Sequence, residues 1–236
     1  MTNNISSSTQ KRLIHDITDI YKNPLHEHGI FYKHDDANML KGYAMIIGPK
    51  DSVYIHGFYF FTFNFPTNYP QQPPKVIFNT NDGQTRFHPN LYKNGKVCLS
   101  ILNTWRGEGW TSCQNIKSIL LTIVSIMDNN PLLHEPGITN SNTQVNEYNK
   151  IIKFKNIDFA LIDKYKQLSN SNPFKEIMKN YIIKHKEEIS NYVDKQAIIH
   201  NISYICNLYI YNLKIIINWD FLKKKTDTFL NKIENK

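Results

Sequence analysis

Residues 46–78, IIGPKDSVYIHGFYFFTFNFPTNYPQQPPKVIF, carry the pattern that decides the fold. Within this stretch, residues 57–65 and 75–78 are short runs of aromatic and β-branched side chains, and residues 42–48 form another such run just before it. Gly or Pro bounds each run, as is typical of strands. Because the connections between the runs are short, we predict that they form neighbouring antiparallel strands in a meander.

The run at residues 57–65 places aromatic side chains on one face of its strand, since alternate residues of a strand point the same way. These side chains are Tyr59, Phe61, Phe63 and Phe65. Residues 66–74 follow with four prolines, which restrict the backbone and predict a rigid loop.

Apolar residues at helical spacing predict helices on both sides of this region. Residues 8–22 and 114–128 have clear amphipathic patterns, and shorter helices are predicted over residues 142–152 and 157–168. Residues 79–113 show no clear period. An irregular segment of that length inside a compact domain is usually functional.

The last part of the chain, residues 173–235, is predicted to form two or three further helices with two apolar stripes. The first stripe contains Phe174, Ile177, Met178, Tyr181, Ile182, Ile189, Tyr192 and Val193. The second contains Ile198, Ile202, Ile205, Tyr209, Leu213 and Ile216. Stripes this wide must be buried, because leaving them in water costs several kcal/mol at about 25 cal/mol per Å². A stabilising cap on the core and a docking element for a partner both satisfy that need.

Composition indicates a globular protein, with 41% apolar and 20% charged residues and a net charge of +8 among 236 residues. The basic residues do not form a dense Lys/Arg stripe with interleaved aromatic residues, so we expect no nucleic-acid partner. Residues 1–10 lack the apolar core of a signal peptide, and residues 197–219 contain too many polar groups for a membrane span. We therefore expect no membrane partner and a cytoplasmic and/or nuclear location.

The chain has three cysteines, Cys98, Cys113 and Cys206, with wide spacing and no C-x-x-C pair. This pattern disfavours a disulfide framework and a zinc site, and it fits a reducing compartment. His26 and His28 have no further ligands nearby in the sequence, so no metal site is predicted. A lone cysteine between apolar neighbours, such as Cys98, is on its own most often a buried packing residue.

The irregular segment contains HPNLYKNGKVCLSIL, from His88 to Leu102. This stretch resembles the catalytic core of ubiquitin-conjugating enzymes, which carries H-P-N followed eight residues later by a catalytic cysteine within G-x-V-C-L. Asn90 and Cys98 have that spacing here. KRLIHDITDIYKNP, at residues 11–24, is similar to the first helix of the family. Residues 46–78 resemble its G-P-x-D-S-x-Y, F-P-x-x-Y-P and P-P-K-V run.

A longer pattern is similar to the large subgroup of this family designated Z. The chain has C-L-S-I-L-x-T-W followed by G-x-x-W, which places Trp110 twelve residues after Cys98. An E-P-G sequence follows at residues 135–137. Trp105 and Trp110 are themselves interpreted as structural residues.

The resemblance implies an α+β fold, in which helices flank a four-stranded antiparallel meander sheet. It divides the chain into a flexible N-terminus at residues 1–7, a catalytic core at residues 8–168 and a helical C-terminal extension at residues 169–236.

The resemblance also assigns chemical roles. Cys98 is the nucleophile that carries ubiquitin as a thioester. Asn90 either stabilises the oxyanion or supports the loop, although an asparagine at such a place is otherwise a turn former. His88 holds the loop structure. Leu133 occupies the position at which many members carry an acidic residue, and His134 beside it is the candidate for proton handling.

Expected partners are ubiquitin or a ubiquitin-like protein, a ubiquitin-activating enzyme, a ubiquitin ligase and a protein substrate. Predicted partner-binding residues are Lys11, Arg12, Gln71, Ser112 and Cys113. The last three replace the aromatic residue and the Pro-Ala pair that RING ligases often grip. No cofactor is expected, because the upstream activating enzyme uses the ATP. Alternatives are a carrier dedicated to another ubiquitin-like modifier and an inactive variant that only presents ubiquitin, against which the presence of Cys98 argues.

Overall fold

A four-stranded antiparallel sheet lies at the centre of the computed structural model, which describes residues 5–234. Its strands are β1 (Ile30–His34), β2 (Lys41–Ile47), β3 (Phe58–Asn64) and β4 (Lys75–Phe78), in that order across the sheet. Each pairs with its neighbour in the chain, so the predicted meander is confirmed. The residue pattern did not locate β1, which begins directly after a left-handed Gly29 (φ 70°).

Helix α1 (Ser7–Lys22) begins at a capped end, as the amphipathic pattern predicts. The Ser6 side chain accepts a hydrogen bond from the backbone N–H of Thr9 at 3.1 Å, which satisfies one of the donors left open at a helix start. Of the predicted flexible segment 1–7, residues 1–4 lie outside the described residues. Ser6 and Ser7 belong to the cap and the first turn of α1.

Both faces of β3 are buried, although an antiparallel sheet commonly leaves one face in water. Tyr59, Phe61 and Phe63 point into the core, as predicted from their alternation. Phe58 and Phe60 point the other way and are also buried. The sheet is therefore covered on its outer side as well.

Helix α2 (Ile116–Ser125) begins with a capping box, in which Asn115 and Ser118 exchange backbone and side-chain hydrogen bonds. The two shorter helices predicted after it form one continuous helical rod. This rod consists of α3 (Gln144–Lys155), a π-helical segment (Asn156–Asp163) and α4 (Lys164–Gln167). The predicted interruption between residues 152 and 157 is thus wrong.

The rod is fixed to the core at Asn156, the first residue of the π-helical segment, which is fully buried. Its Nδ2 donates to the carbonyl of Ile55 at 2.6 Å, and its Oδ1 accepts from the Tyr59 hydroxyl at 2.7 Å. A Cβ at Gly57 would lie 1.8 Å from that Oδ1, so only glycine fits there.

The C-terminal extension contains α5 (Lys175–Lys184), α6 (Lys186–Ile199), a hairpin of β5 (Tyr204–Leu208) and β6 (Leu213–Ile217), and α7 (Trp219–Glu234). Residues of the first predicted stripe are buried or half-buried, as expected. The prediction of a second helical stripe is wrong, because residues 204–208 and 213–217 form paired strands. Alternate residues of these strands are buried, namely Cys206, Leu208, Leu213, Ile215 and Ile217.

The extension packs on the part of the chain that contains the four-stranded sheet, and it covers the outer face of this sheet. The ring centroids of Phe174 and Phe60 are 6.0 Å apart, and those of Tyr181 and Phe58 are 5.7 Å apart. On the opposite side, Nζ of Lys225 in α7 lies 2.5 Å from Asp158 and 2.8 Å from Asp163, both in the π-helical segment. Among residues 5–234, no helix combines the length and the apolar character needed to cross a membrane.

Candidate active site

Asn90 and Cys98 are brought side by side by a tight turn of the chain. The backbone N–H of Cys98 donates to the carbonyl of Asn90 at 2.8 Å, and Nδ2 of Asn90 donates to the carbonyl of Cys98 at 2.7 Å. Gly95 allows the turn between them with its positive φ of 87°. The structure therefore joins the two residues that the sequence spacing singled out.

His88 supports this turn from inside the protein, where its side chain is fully buried. Its Nδ1 accepts a hydrogen bond from the backbone N–H of Asn90 at 2.9 Å, which leaves the proton of the neutral ring on Nε2. Burial, followed by the nearby His134, holds the pKa of His88 well below its usual value. A neutral, fixed ring suits the predicted loop-supporting role, which stays a prediction.

The Asn90 amide has unused hydrogen-bonding capacity. Its Oδ1 is buried and has no hydrogen-bond partner among the residues that the structure describes. Nδ2 carries two hydrogens and donates to the Cys98 carbonyl, which is its one acceptor within residues 5–234. Loop support is thus visible in the geometry, whereas the oxyanion role stays a prediction.

The Cys98 side chain lies inside the loop, with the residue only 1% exposed. Tyr92 lies in the same loop, and its backbone N–H donates to the carbonyl of Lys96 at 2.9 Å. Burial is the main cause that raises the pKa of Tyr92 and the Cys98 thiol adds to it, whereas the Arg86 guanidinium partly offsets both. Sequence reasoning missed both Tyr92 and Arg86. The position of Tyr92 between Asn90 and Cys98 was the one available signal.

His134 forms a close pair with Asp128. Sequence reasoning predicted His134 as a site residue but missed Asp128. Nε2 of His134 lies 2.8 Å from Oδ2 of Asp128. A carboxylate only accepts, so Nε2 carries a proton, and in the neutral ring Nδ1 is free to take another. The His134 ring centroid is 5.0 Å from that of His88, which places the pair next to the turn that joins Asn90 and Cys98. Proton handling by His134 stays a prediction.

Arg12, a predicted partner-binding residue, is bonded within the chain. Its Nε donates to Asp16 at 2.9 Å, and its terminal nitrogens donate to the carbonyls of Ser112 and Gln114 at 2.5 Å each. Asp16 also accepts from the Tyr69 hydroxyl at 2.5 Å. Arg12 thus ties α1 to the loop before α2, and a contact with a partner stays a prediction.

Gln71, Ser112, Cys113 and Lys11 are exposed, and the first two lie on loops that meet. The carbonyl of Pro70 accepts from Nε1 of Trp110 at 2.7 Å and from the Ser112 hydroxyl at 3.3 Å. Trp110 therefore acts as the predicted structural anchor between the two loops. Whether these exposed residues bind partners stays a prediction.

All three cysteines are free thiols, with Cys113 exposed and Cys206 buried like Cys98. Burial raises the pKa of Cys206 to about 12, which keeps it a neutral packing residue. Within residues 5–234, no group of three or more His, Cys, Asp or Glu side chains is arranged to hold a metal ion.

The meander sheet and the Asn90–Cys98 turn agree with a family comparison. The family model for ubiquitin-conjugating enzymes matches residues 12–158, which is more than half of the chain, so the chain belongs to this family. The match ends within the π-helical segment, and the extension lies beyond it.

Among curated proteins, the chain is similar to ubiquitin-conjugating enzyme E2 Z of Homo sapiens, with 42% identity over 155 residues. That alignment covers 64% of this chain and 43% of the human protein. E2 Z of Danio rerio is 41% identical over 155 residues, which cover 64% of this chain and 47% of that protein. The predicted likeness to the Z subgroup is confirmed, and the chain spans less than half the length of these relatives.

Among solved structures, human ubiquitin-conjugating enzyme E2 G1 is 30% identical, with a TM-score of 0.44. The match covers 50% of this chain and 93% of that one.

Proposed function

We propose that the chain accepts ubiquitin as a thioester on Cys98 and passes it to a lysine or to a ligase. The observation that carries this proposal is the pair of hydrogen bonds between Asn90 and Cys98, in a chain that belongs to the ubiquitin-conjugating family. The bonds hold the Asn90 amide next to the residue that bears the sulfur, and a positioned amide donor can stabilise the oxyanion of an acyl transfer.

The chemistry consists of two acyl transfers. The thiolate of Cys98 attacks the thioester carbonyl on the activating enzyme, a new C–S bond forms, and the enzyme's thiolate leaves. A lysine amine then attacks the Cys98 thioester, the N–C bond forms, and the Cys98 thiolate leaves with the electron pair. A thiol suits both steps because it is a good nucleophile and a good leaving group.

The amine must also lose a proton during the second transfer. The family position for an acidic residue holds Leu133, so a carboxylate at that position is not available. His134 is our candidate, because Asp128 orients its ring and leaves Nδ1 free to accept a proton. The proton then passes from the lysine nitrogen to Nδ1 of His134, which releases it to solvent.

The proposed partners are a ubiquitin-activating enzyme, a ubiquitin ligase and a protein substrate. No cofactor is proposed for this chain, since the ATP is consumed by the activating enzyme. The cytoplasm or the nucleus is the proposed location, because a thioester carrier needs a reduced thiol and these compartments maintain it.

The test is to incubate the chain with activating enzyme, ATP and labelled ubiquitin and to analyse it on a non-reducing gel. We expect a ubiquitin adduct that disappears when a thiol reductant is added. A parallel series with other ubiquitin-like proteins separates a dedicated carrier from a ubiquitin carrier. If none of the modifiers forms an adduct, the chain is a variant that only presents ubiquitin, and the proposal is contradicted.

A further inference from the structure

The guanidinium of Arg86 lies between two tyrosine rings from distant parts of the chain. Its Cζ is 3.8 Å from the centroid of Tyr92 and 4.5 Å from that of Tyr211. Tyr92 belongs to the turn from His88 to Cys98, which is the catalytic turn under the proposed function, whereas Tyr211 lies between β5 and β6 of the extension. The Arg86 side chain is 19% exposed, and attraction between a guanidinium and an aromatic face strengthens as water is excluded.

Glu135 holds Tyr211 in this arrangement. The Tyr211 hydroxyl donates to Oε2 of Glu135 at 2.5 Å, and the same carboxylate oxygen lies 3.7 Å from the Arg86 guanidinium. Burial, followed by this hydrogen bond, raises the pKa of Tyr211 far above its usual value, so the hydroxyl stays a donor. Tyr211 is thus fixed through both its ring and its hydroxyl.

Arg86 is oriented from two further sides. Its backbone carbonyl accepts from the Tyr148 hydroxyl at 2.7 Å, and its guanidinium donates to the carbonyl of Pro89 in the catalytic turn. The Tyr148 ring also contacts the Tyr211 ring, with 6.0 Å between centroids. Arg86 therefore links α3, the extension and the catalytic turn.

The other end of this chain of contacts is the turn that carries the reacting atom. The backbone N–H of Tyr92 donates to the carbonyl of Lys96 at 2.9 Å, and that of Cys98 donates to the carbonyl of Asn90 at 2.8 Å, so both residues belong to one turn. The Cys98 thiol also raises the pKa of the Tyr92 hydroxyl, second to burial. When a lysine attacks the thioester, the C–S bond breaks and negative charge develops on sulfur. A hydroxyl donor and a nearby cation stabilise that charge, and they do so more strongly in the transition state than before the reaction.

We propose that Tyr211 is a positioning residue for Cys98, which acts through Arg86 to hold the Tyr92 hydroxyl against the sulfur. The C-terminal extension then contributes directly to the reactivity of the catalytic cysteine. The consequence for lysine discharge rests on the proposed thioester function, whereas the consequence for thiol reactivity does not.

The first experiment measures discharge of the ubiquitin thioester to free lysine. Tyr211→Leu removes the ring and the hydroxyl, and we expect the maximal rate to fall about fivefold or more, with an unchanged half-saturating lysine concentration. Tyr211→Phe keeps the ring over Arg86 and should restore most of the rate. Tyr209→Ala is the matched control, because that ring lies in the same turn and is 80% exposed.

The second experiment measures alkylation of Cys98 by iodoacetamide, followed by mass spectrometry, and needs no ubiquitin. Tyr211→Leu should change the alkylation rate about fivefold in the wild-type background. In a Tyr92→Phe background, which removes only the hydroxyl, the same substitution should change it less than about twofold. That difference shows that Tyr211 acts through Tyr92.

Equal alkylation rates for folded Tyr211→Leu and wild type would overturn the proposal. The proposal would also be overturned if Tyr211→Leu changed the alkylation rate by the same factor in the wild-type and Tyr92→Phe backgrounds. If Tyr211→Leu melts below the assay temperature, Arg86→Lys replaces it, since lysine keeps the charge but loses the planar stacking. Failure of the wild type to load ubiquitin would contradict the proposed function and leave the alkylation result intact.

Discussion

At the scale of single residues, the turn from His88 to Cys98 depends on groups that hold Cys98 and its backbone in place. Asn90 and Cys98 were predictable from the sequence, because Cys98 follows Asn90 by eight positions within a distinctive motif. The contact of Arg86 with Tyr211 was not, because it joins residues more than 100 positions apart. No local periodicity indicates a contact of that kind.

We predict that Asn90→Ala still accepts ubiquitin on Cys98 but discharges it to lysine about 100- to 1000-fold more slowly, the usual effect of losing one oxyanion donor. Single-turnover discharge assays measure this directly. Asn94→Ala is the control, because Asn94 lies in the same loop with an exposed side chain. Equal discharge rates for Asn90→Ala and wild type would remove Asn90 from the mechanism.

At the scale of elements, two departures from the predicted pattern have physical causes. Residues 204–217 are so rich in isoleucine that an apolar stripe can be drawn at helical as well as at strand spacing. β-Branched residues favour strands, and Asn212 adopts the left-handed backbone (φ 47°) that the hairpin turn requires. The outcome leaves Ile205 and Ile216 exposed on the hairpin, whereas the helical stripe would bury them.

The π-helical segment is the second departure, and periodicity cannot predict it because its residues are buried nearly all round. Its first residue, Asn156, satisfies the Ile55 carbonyl and the Tyr59 hydroxyl. This buried pair of hydrogen bonds fixes the rod to the sheet.

We predict that Asn156→Leu lowers the free energy of unfolding by about 3 kcal/mol, because two buried polar groups lose their partner at about 1–3 kcal/mol each. Urea denaturation measures the loss. Asn146→Leu, on the exposed side of α3, should change the unfolding free energy by less than about 0.5 kcal/mol. A loss below about 1 kcal/mol for Asn156→Leu would show that Asn156 does not fix the rod.

At the scale of the whole molecule, the extension and the catalytic core share one hydrophobic core. The sequence predicted that the first stripe, from Phe174 to Val193, must be buried, but not where. The structure places it on the outer face of β3, over Phe58 and Phe60. This arrangement supports the reading of the extension as a stabilising cap.

A chain that ends at Asn172 therefore exposes apolar surface on β3 and α3. We predict that it melts at a lower temperature than the full chain or aggregates, as calorimetry and light scattering would show. At about 25 cal/mol per Å² of exposed apolar surface, the loss amounts to several kcal/mol. A truncated chain with unchanged melting temperature would show that the extension is not a cap.

The junction of the core with the extension also contains a buried histidine, His56, which is 3% exposed. Its Nδ1 bonds to the Tyr181 hydroxyl at 2.9 Å, and the rings of His185 and Tyr192 lie 6.1 and 6.5 Å away. Burial is the main cause that lowers the pKa of His56 from 6.5 to about 4, and the charge of His185 is the second cause. Glu188 partly opposes both effects.

The unfolded chain therefore binds a proton on His56 between pH 6.5 and about 4, whereas the folded chain does not. The contribution of neutral His56 to the free energy of unfolding is complete above pH 6.5. It decreases by up to about 3 kcal/mol as the pH is lowered from 6.5 to about 4. We predict that His56→Asn, which tolerates the left-handed backbone at this position, flattens that dependence. Urea denaturation between pH 4 and pH 7 tests it, and an identical pH dependence in both proteins would contradict this assignment.

The central claim is that Cys98 carries the modifier, and exchange of the thiol for a hydroxyl tests it most directly. With activating enzyme, ATP and ubiquitin, we expect wild type and Cys113→Ser to form adducts that a thiol reductant removes. Cys98→Ser should form an adduct that resists the reductant, because thiols do not readily cleave an oxyester, and Cys98→Ala should form none. A reductant-sensitive adduct that persists in Cys98→Ala would contradict the account.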